Sequence, residues 1–124
     1  AIQWAAIRAL EHPELTDQIK AKYERRLREL VRVLSSIGFS AEMPGGTFYL
    51  YVRSPRAIKG GMSFPTAEDF SQYLIREKLI STVPWDDVGH FLRFSATFEA
   101  PSAEAEGGIL KEIERRFSDL HLEF

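Results

Sequence analysis

The 124-residue sequence has no cysteine, which excludes a disulfide framework, a thiolate nucleophile and cysteine metal ligands. Histidine is nearly as scarce: His12, His90 and His121 are scattered, and no two of them show metal-ligand spacing with a carboxylate. No apolar run approaches the roughly 20 residues needed to span a bilayer, so no membrane partner is expected. An excess of charge of one sign is also missing. With 16 Lys and Arg against 18 Asp and Glu, the formal net charge of -2 sets up no field that would gather nucleic acid. The start, Ala1-Ile2-Gln3-Trp4, lacks both an initiator Met and a charged signal-peptide head. A cut N-terminus and a cytoplasmic, reducing compartment are the expectations.

What is present fits one soluble globular domain, long enough to bury a core without staples. Ile2, Ala5, Ala6, Ala9 and Leu10 predict a short helix that carries Trp4 and Ile7 on its flank and stops at His12-Pro13, too apolar to sit alone in water. Leu15, Ile19, Tyr23, Leu27, Leu30, Leu34 and Ile37 recur every three or four residues and predict a long helix over 14–37, closed by Gly38. Its other face mixes Lys20, Lys22, Arg25, Arg28 and Arg32 with Asp17, Glu24 and Glu29, and reads as a solvated, salt-bridged face in preference to an anion patch.

Beyond Gly38 the pattern shortens. A short edge strand is expected over 39–43, and a strand behind Gly45-Gly46 with Phe48, Leu50 and Val52 on one face and Tyr49, Tyr51 and Arg53 on the other. Residues 54–65 read as an exposed loop. Thr66 with Asp69 has capping-box spacing for a third helix. A strand over 79–83, a turn over 84–89, a strand over 91–97 and a last helix with Ile109, Leu110, Ile113, Phe117 and Leu120 on one stripe complete the order. The fold class this predicts is α+β, a small, mostly antiparallel sheet with helices packed on one face.

Few residues carry chemistry. Arg93 lies in an apolar strand where Leu92, Phe94 and Ala96 share one face and Phe91, Arg93 and Ser95 the other. A guanidinium so placed needs a partner, either a carboxylate of the same domain or an anionic ligand matched by its planar fork of donors. Gly45-Gly46 allows close backbone approach but lacks the Lys-Ser/Thr continuation of a phosphate loop. Asp86-Asp87 reads as a pair of turn formers in preference to a general acid-base pair. No Ser, His and Asp set stands out.

Three stretches read together do point further. Tyr23-Glu24-Arg25-Arg26-Leu27, Pro44-Gly45-Gly46-Thr47-Phe48-Tyr49 and Phe91-Leu92-Arg93-Phe94-Ser95 resemble the C-terminal small domain of fold-type I, class I/II aminotransferases dependent on pyridoxal phosphate. Within that superfamily, Glu77-Lys78-Leu79-Ile80-Ser81-Thr82-Val83-Pro84-Trp85-Asp86-Asp87 is most similar to the LL-diaminopimelate aminotransferase-like group. The resemblance implies that residues 1–124 are one small domain, with residues 1–12 a linker helix from an absent large domain. It implies that Arg93 clasps the substrate α-carboxylate and that Gly45, Gly46 and Phe48 lie along the substrate-side entrance. The implied partners are amino-acid and 2-oxo-acid substrates, the chain's own large domain and a second copy in a homodimer.

The cofactor, pyridoxal 5'-phosphate, is expected in the full-length parent and not on this chain. None of Lys20, Lys22, Lys59, Lys78 and Lys111 stands in the family's Ser-Lys type of motif, and the phosphate cup and the aspartate for the pyridine nitrogen belong to the large domain. The alternative is a stand-alone α+β ligand-binding or interaction module in which Arg93 is structural. On the first reading, the isolated chain should neither retain pyridoxal phosphate through dialysis nor turn over amino acids. Cofactor absorbance at one equivalent after dialysis would overturn it.

Overall fold

The computed structural model describes residues 1–124. It opens with helix α1, Ile2–Leu10, and helix α2, Pro13–Ile37. Pro13 occupies the first turn, where its missing N–H costs nothing, and Gly38 closes α2 in the left-handed region at φ 108°. Strands β1, Tyr49–Arg53, and β2, Ala57–Ile58, follow, then helix α3, Ala67–Tyr73. The capping box at its start is formed: Asp69 N–H donates to Thr66 Oγ1, and Thr66 N–H to the Asp69 carboxylate. The helix runs on into a π-turn, Leu74–Lys78, and stops at Leu79, a non-glycine residue at φ 54°. Strands β3, Val83–Trp85, and β4, Phe91–Ser95, helix α4, Ala103–Phe117, and strand β5, Leu122–Glu123, complete the chain.

The main sheet is antiparallel with order β1-β4-β3, and β2 pairs with β5 in a separate two-stranded ribbon. Leu50 opposes Phe94 and Val52 opposes Leu92. These four side chains turn inward and join Leu30 and Leu34 of α2, Phe70 of α3 and Leu110 and Phe117 of α4 in one core. The helices thus cover one face of the sheet, the expected α+β arrangement. The other face is left open.

Three local expectations give way. Residues 39–43 form no strand: Ala41 N–H turns back to Phe39 O, and Phe39 is held by edge-on contacts with Phe94, Phe117 and Phe124. Residues 54–65 are not simply exposed, since Ser54 and Phe64 are buried and β2 finds its partner at the far end of the chain. No local pattern announces a partner, Leu122–Glu123, at the other end of the chain. The third strand is Val83–Trp85 and not 79–83, so Pro84 and Trp85 belong to a strand instead of a turn. Proline is tolerated there because β3 is an edge, with one flank that needs no N–H donor.

The feature that the sequence pattern hid is a buried charge cluster. Arg26, 2 % exposed, and Glu106, 6 % exposed, meet between α2 and α4. Arg26 Nε donates to Glu106 Oε1 at 2.8 Å, and its Nη1 donates to the carbonyls of Ala96 and Phe98 at 3.1 and 2.6 Å. Arg25 adds two further donors to the same carboxylate, each at 3.0 Å. Elsewhere α2 is salt-bridged as expected, with Arg28 on Glu24 and Arg32 on Glu29.

The hydrogen bonds from Arg25, and then those from Arg26, hold the Glu106 carboxyl below its ordinary 4.5 despite burial. A carboxylate whose pKa is depressed by folding stabilises the fold above its unfolded pKa, and that contribution is lost as pH falls through the folded value. Urea midpoints should therefore drop on acidification below about pH 4.5, and Glu106→Gln should flatten that drop relative to wild type. At neutral pH, Glu106→Ala leaves the Arg26 guanidinium buried without its counter-charge and should cost about 3 kcal/mol of unfolding free energy.

Candidate functional site

The open face of the sheet is built by register. Arg93 of β4 opposes Tyr51 of β1 on one side and Val83 of β3 on the other. Phe91 likewise opposes Arg53 and Trp85. Opposed residues in an antiparallel pair point to the same face, so this surface collects four aromatics, two arginines and no carboxylate from any of its three strands.

The Arg93 guanidinium lies 4.3 Å from the centre of the Tyr49 ring and 5.3 Å from that of Trp85. Tyr51 meets Trp85 edge-on at 5.5 Å. Arg93 is half-buried and takes part in none of the ion pairs of the chain. Of the two partners open to it from sequence, the carboxylate of its own domain is not there. Aromatic rings take up the faces of a guanidinium, whereas its N–H donors radiate in its plane. The fork therefore stays free for an acceptor that arrives edge-on.

Gly45 and Gly46 form a bend between α2 and β1. Neither has a left-handed φ, and a Cβ on either would meet nothing within 4 Å. Nothing within the chain requires glycine at these two positions, and a group from outside is free to lie against the bare backbone. Phe48 is 39 % exposed. Its ring packs against Tyr23 of α2 at 5.6 Å and against Tyr49 at 4.5 Å, and it walls a surface groove with Met43 over the two glycines. Phe48 and Arg93 thus share Tyr49 as a neighbour, and Gly45 and Gly46 lie beside Phe48.

The turn that delivers β4 is tied down on both sides. Asp86 Oδ1 accepts from Ala67 N–H at 2.8 Å and Oδ2 from Glu68 N–H at 3.1 Å, at the positive end of α3. Ser54 N–H donates to His90 O at 2.8 Å. Gly89 has φ 132°, and a Cβ there would stand 2.7 Å from the Phe91 ring, so only glycine fits. Asp86 thereby ties this turn to the start of α3, in keeping with the turn-former reading of that residue.

Lys78 is held by Asp119 at 2.6 Å, while Lys20, Lys22, Lys59 and Lys111 are exposed. No cluster of His, Asp and Glu has the arrangement to hold a metal ion, and no helix is long and apolar enough to cross a membrane. Tyr49 and Trp85 are the site residues that sequence reasoning missed. Alternation placed Tyr49 on the face of Tyr51 and Arg53, but its contact with Arg93 depends on strand register, and Trp85 was expected in a turn.

The chain belongs to the aminotransferase class I and II family, whose sequence profile matches residues 1–104. It is 56% identical over 131 residues to an LL-diaminopimelate aminotransferase of Methanocaldococcus jannaschii, and 53% identical over 128 residues to the one of Methanococcus maripaludis. Each match covers 99% of this chain and 31% of the relative, so the chain spans about a third of the length of these curated relatives. Among solved structures, the substrate-bound BacF of Bacillus subtilis superposes with a TM-score of 0.71 at 26% identity, over 90% of this chain and 26% of that one. An aromatic aminotransferase of Pyrococcus horikoshii shares the fold at a TM-score of 0.72 and 23% identity, over 95% of this chain and 31% of that one.

If Asp86 is an anchor, Asp86→Ala should lower stability by about 1–2 kcal/mol, the usual cost of losing a helix cap, and Asp86→Asn by less. Thermal unfolding of the two variants measures this. A loss of enzymatic rate with unchanged melting temperature would point instead to acid-base work.

Proposed function

We propose that residues 1–124 are the C-terminal small domain of an amino-acid aminotransferase dependent on pyridoxal 5'-phosphate, and that Arg93 holds the substrate α-carboxylate. The observation that carries the reading is the Arg93 guanidinium itself. It is sandwiched by Tyr49 and Trp85, free of any carboxylate, on a sheet face that no helix of the chain covers. Family membership supports it, as does the high identity to LL-diaminopimelate aminotransferases, and we take LL-diaminopimelate as the amino donor and a 2-oxo acid as the acceptor.

The residues present do not fit the cofactor, so the lysine, the phosphate cup and the group facing the pyridine nitrogen are assigned to the rest of the polypeptide. The part of this chain is to bind, orient and enclose. A bidentate clamp fixes both carboxylate oxygens and thereby the rotation of the substrate about its Cα, and such orientation lowers a barrier by several kcal/mol. Gly45 and Gly46 let backbone approach the substrate entrance, and the Phe48 ring walls it from water. Residues 1–12 serve as the linker helix from the large domain. Ile2, Trp4 and Leu10, all more than 70 % exposed, supply the apolar surface of this helix that the large domain covers. The assembled enzyme is a cytoplasmic homodimer.

Kinetics of the full-length enzyme test the clamp. Arg93→Lys keeps the charge but loses the fork and should lower kcat/KM for the amino acid; Arg93→Ala should lower it by the equivalent of about 2–5 kcal/mol. An amine that lacks the α-carboxylate should lose almost nothing in either variant. Equal losses for acid and amine, or a variant that unfolds, would make Arg93 a structural residue.

A further inference from the structure

Two arginines of the chain lie against aromatic rings, and they differ in what holds them. The Arg26 guanidinium lies 4.5 Å from the centre of the Phe98 ring, and its donors are spent on Glu106 and on the carbonyls of Ala96 and Phe98. Arg93 joins none of the ion pairs of the chain. Its guanidinium is held by rings instead, Tyr49 at 4.3 Å and Trp85 at 5.3 Å. The two rings reach it from the two neighbouring strands: Tyr49 stands on β1 opposite Ser95, and Trp85 on β3 opposite Phe91. A long side chain without a fixed partner loses rotamer freedom when it binds one, and that loss weakens the ligand. A ring against the guanidinium face removes the freedom beforehand and leaves the in-plane donors unspent.

Each ring is in turn braced against a different helix. Tyr49 packs on Phe48 at 4.5 Å, and Phe48 on Tyr23 of α2 at 5.6 Å. Tyr49 N–H also donates to Thr47 Oγ1 at 3.1 Å. Trp85 meets Tyr51 edge-on at 5.5 Å, and the residue after it, Asp86, accepts from the N–H groups of Ala67 and Glu68 at the start of α3. A functional group held by side chains that are themselves locked is placed more accurately than one left to its own torsions.

We propose that Tyr49 and Trp85 are positioning residues that preset the fork of Arg93 for a planar carboxylate, with Tyr49, the nearer ring, the stronger of the two. The assignment rests on the reading of Arg93 as the α-carboxylate clamp. Neither ring has to touch the ligand, because the effect passes through the guanidinium.

Competitive inhibition of the full-length holoenzyme tests the pair, with pentanoate and pentanamide as probes of one shape that differ in charge. Tyr49→Leu should raise the pentanoate inhibition constant about three- to thirtyfold, the range of a cation–π contact, and leave pentanamide within about twofold. Tyr49→Phe keeps the ring and should stay within about twofold of wild type for both probes. Trp85→Leu should raise the pentanoate constant by less than Tyr49→Leu does, and it carries the test if the Tyr49 variant does not fold. In an Arg93→Gln background Tyr49→Leu should add less than about twofold, because the group it positions is gone. A pentanoate constant equal to wild type in Tyr49→Leu, or in Trp85→Leu where that variant carries the test, overturns the positioning role alone. So do equal losses for both probes, a Tyr49→Phe loss as large as that of Tyr49→Leu, and an undiminished further loss in the Arg93→Gln background. An Arg93→Gln variant that binds pentanoate as wild type does overturns the clamp, and the positioning role falls with it.

Discussion

The buried contact of Arg26 with Glu106 ties the architecture together. One guanidinium donates to a carboxylate on α4 and to two carbonyls just past β4, so it joins the longest helix, the last helix and the central strand at one point. Desolvating both ions is expensive, and an apolar pair of the same volume would often be as stable. What an apolar pair would not supply is direction, because the donors of Arg26 are satisfied only when α2 and α4 sit at one relative height. The central strand, with Arg93 two residues before its end, is thereby held in register with both helices.

This cluster also shows where reading a sequence succeeds and fails. The α2 periodicity made the helix plain, yet Arg26 falls between Tyr23 and Leu30 on the same apolar stripe and was not recognised as part of it. Its charge hid its position. Glu106 does the same on the stripe of Leu110 and Phe117, and two opposite charges on facing stripes were the signal available. Likewise the capping box at Thr66 and the glycine stop at Gly38 were legible because each is a local bond. Strand β2 was not, because its partner Leu122–Glu123 is distant in the chain and too short to carry a pattern.

For the candidate site the same division holds. Alternation along 91–96 placed Arg93 on a face, and motif resemblance marked Gly45, Gly46 and Phe48. Which side chains share that face is a matter of register between β1, β4 and β3, set by the whole core. Hence Tyr49, the ring nearest to Arg93, and Trp85, displaced by the true position of β3, entered only with the structure.

Helix α1 has none of its side chains buried. Nine residues fall short of the about 12–15 at which a helix holds in water by its own hydrogen bonds, so little but end-on continuity with α2 keeps it wound. Its amide protons should exchange near the rate of an unfolded peptide while the core strands stay protected. Any surface that covers Trp4 and Leu10 must therefore supply the ordering free energy of the helix along with the contact itself. At this end of the molecule, winding and docking are a single cooperative event.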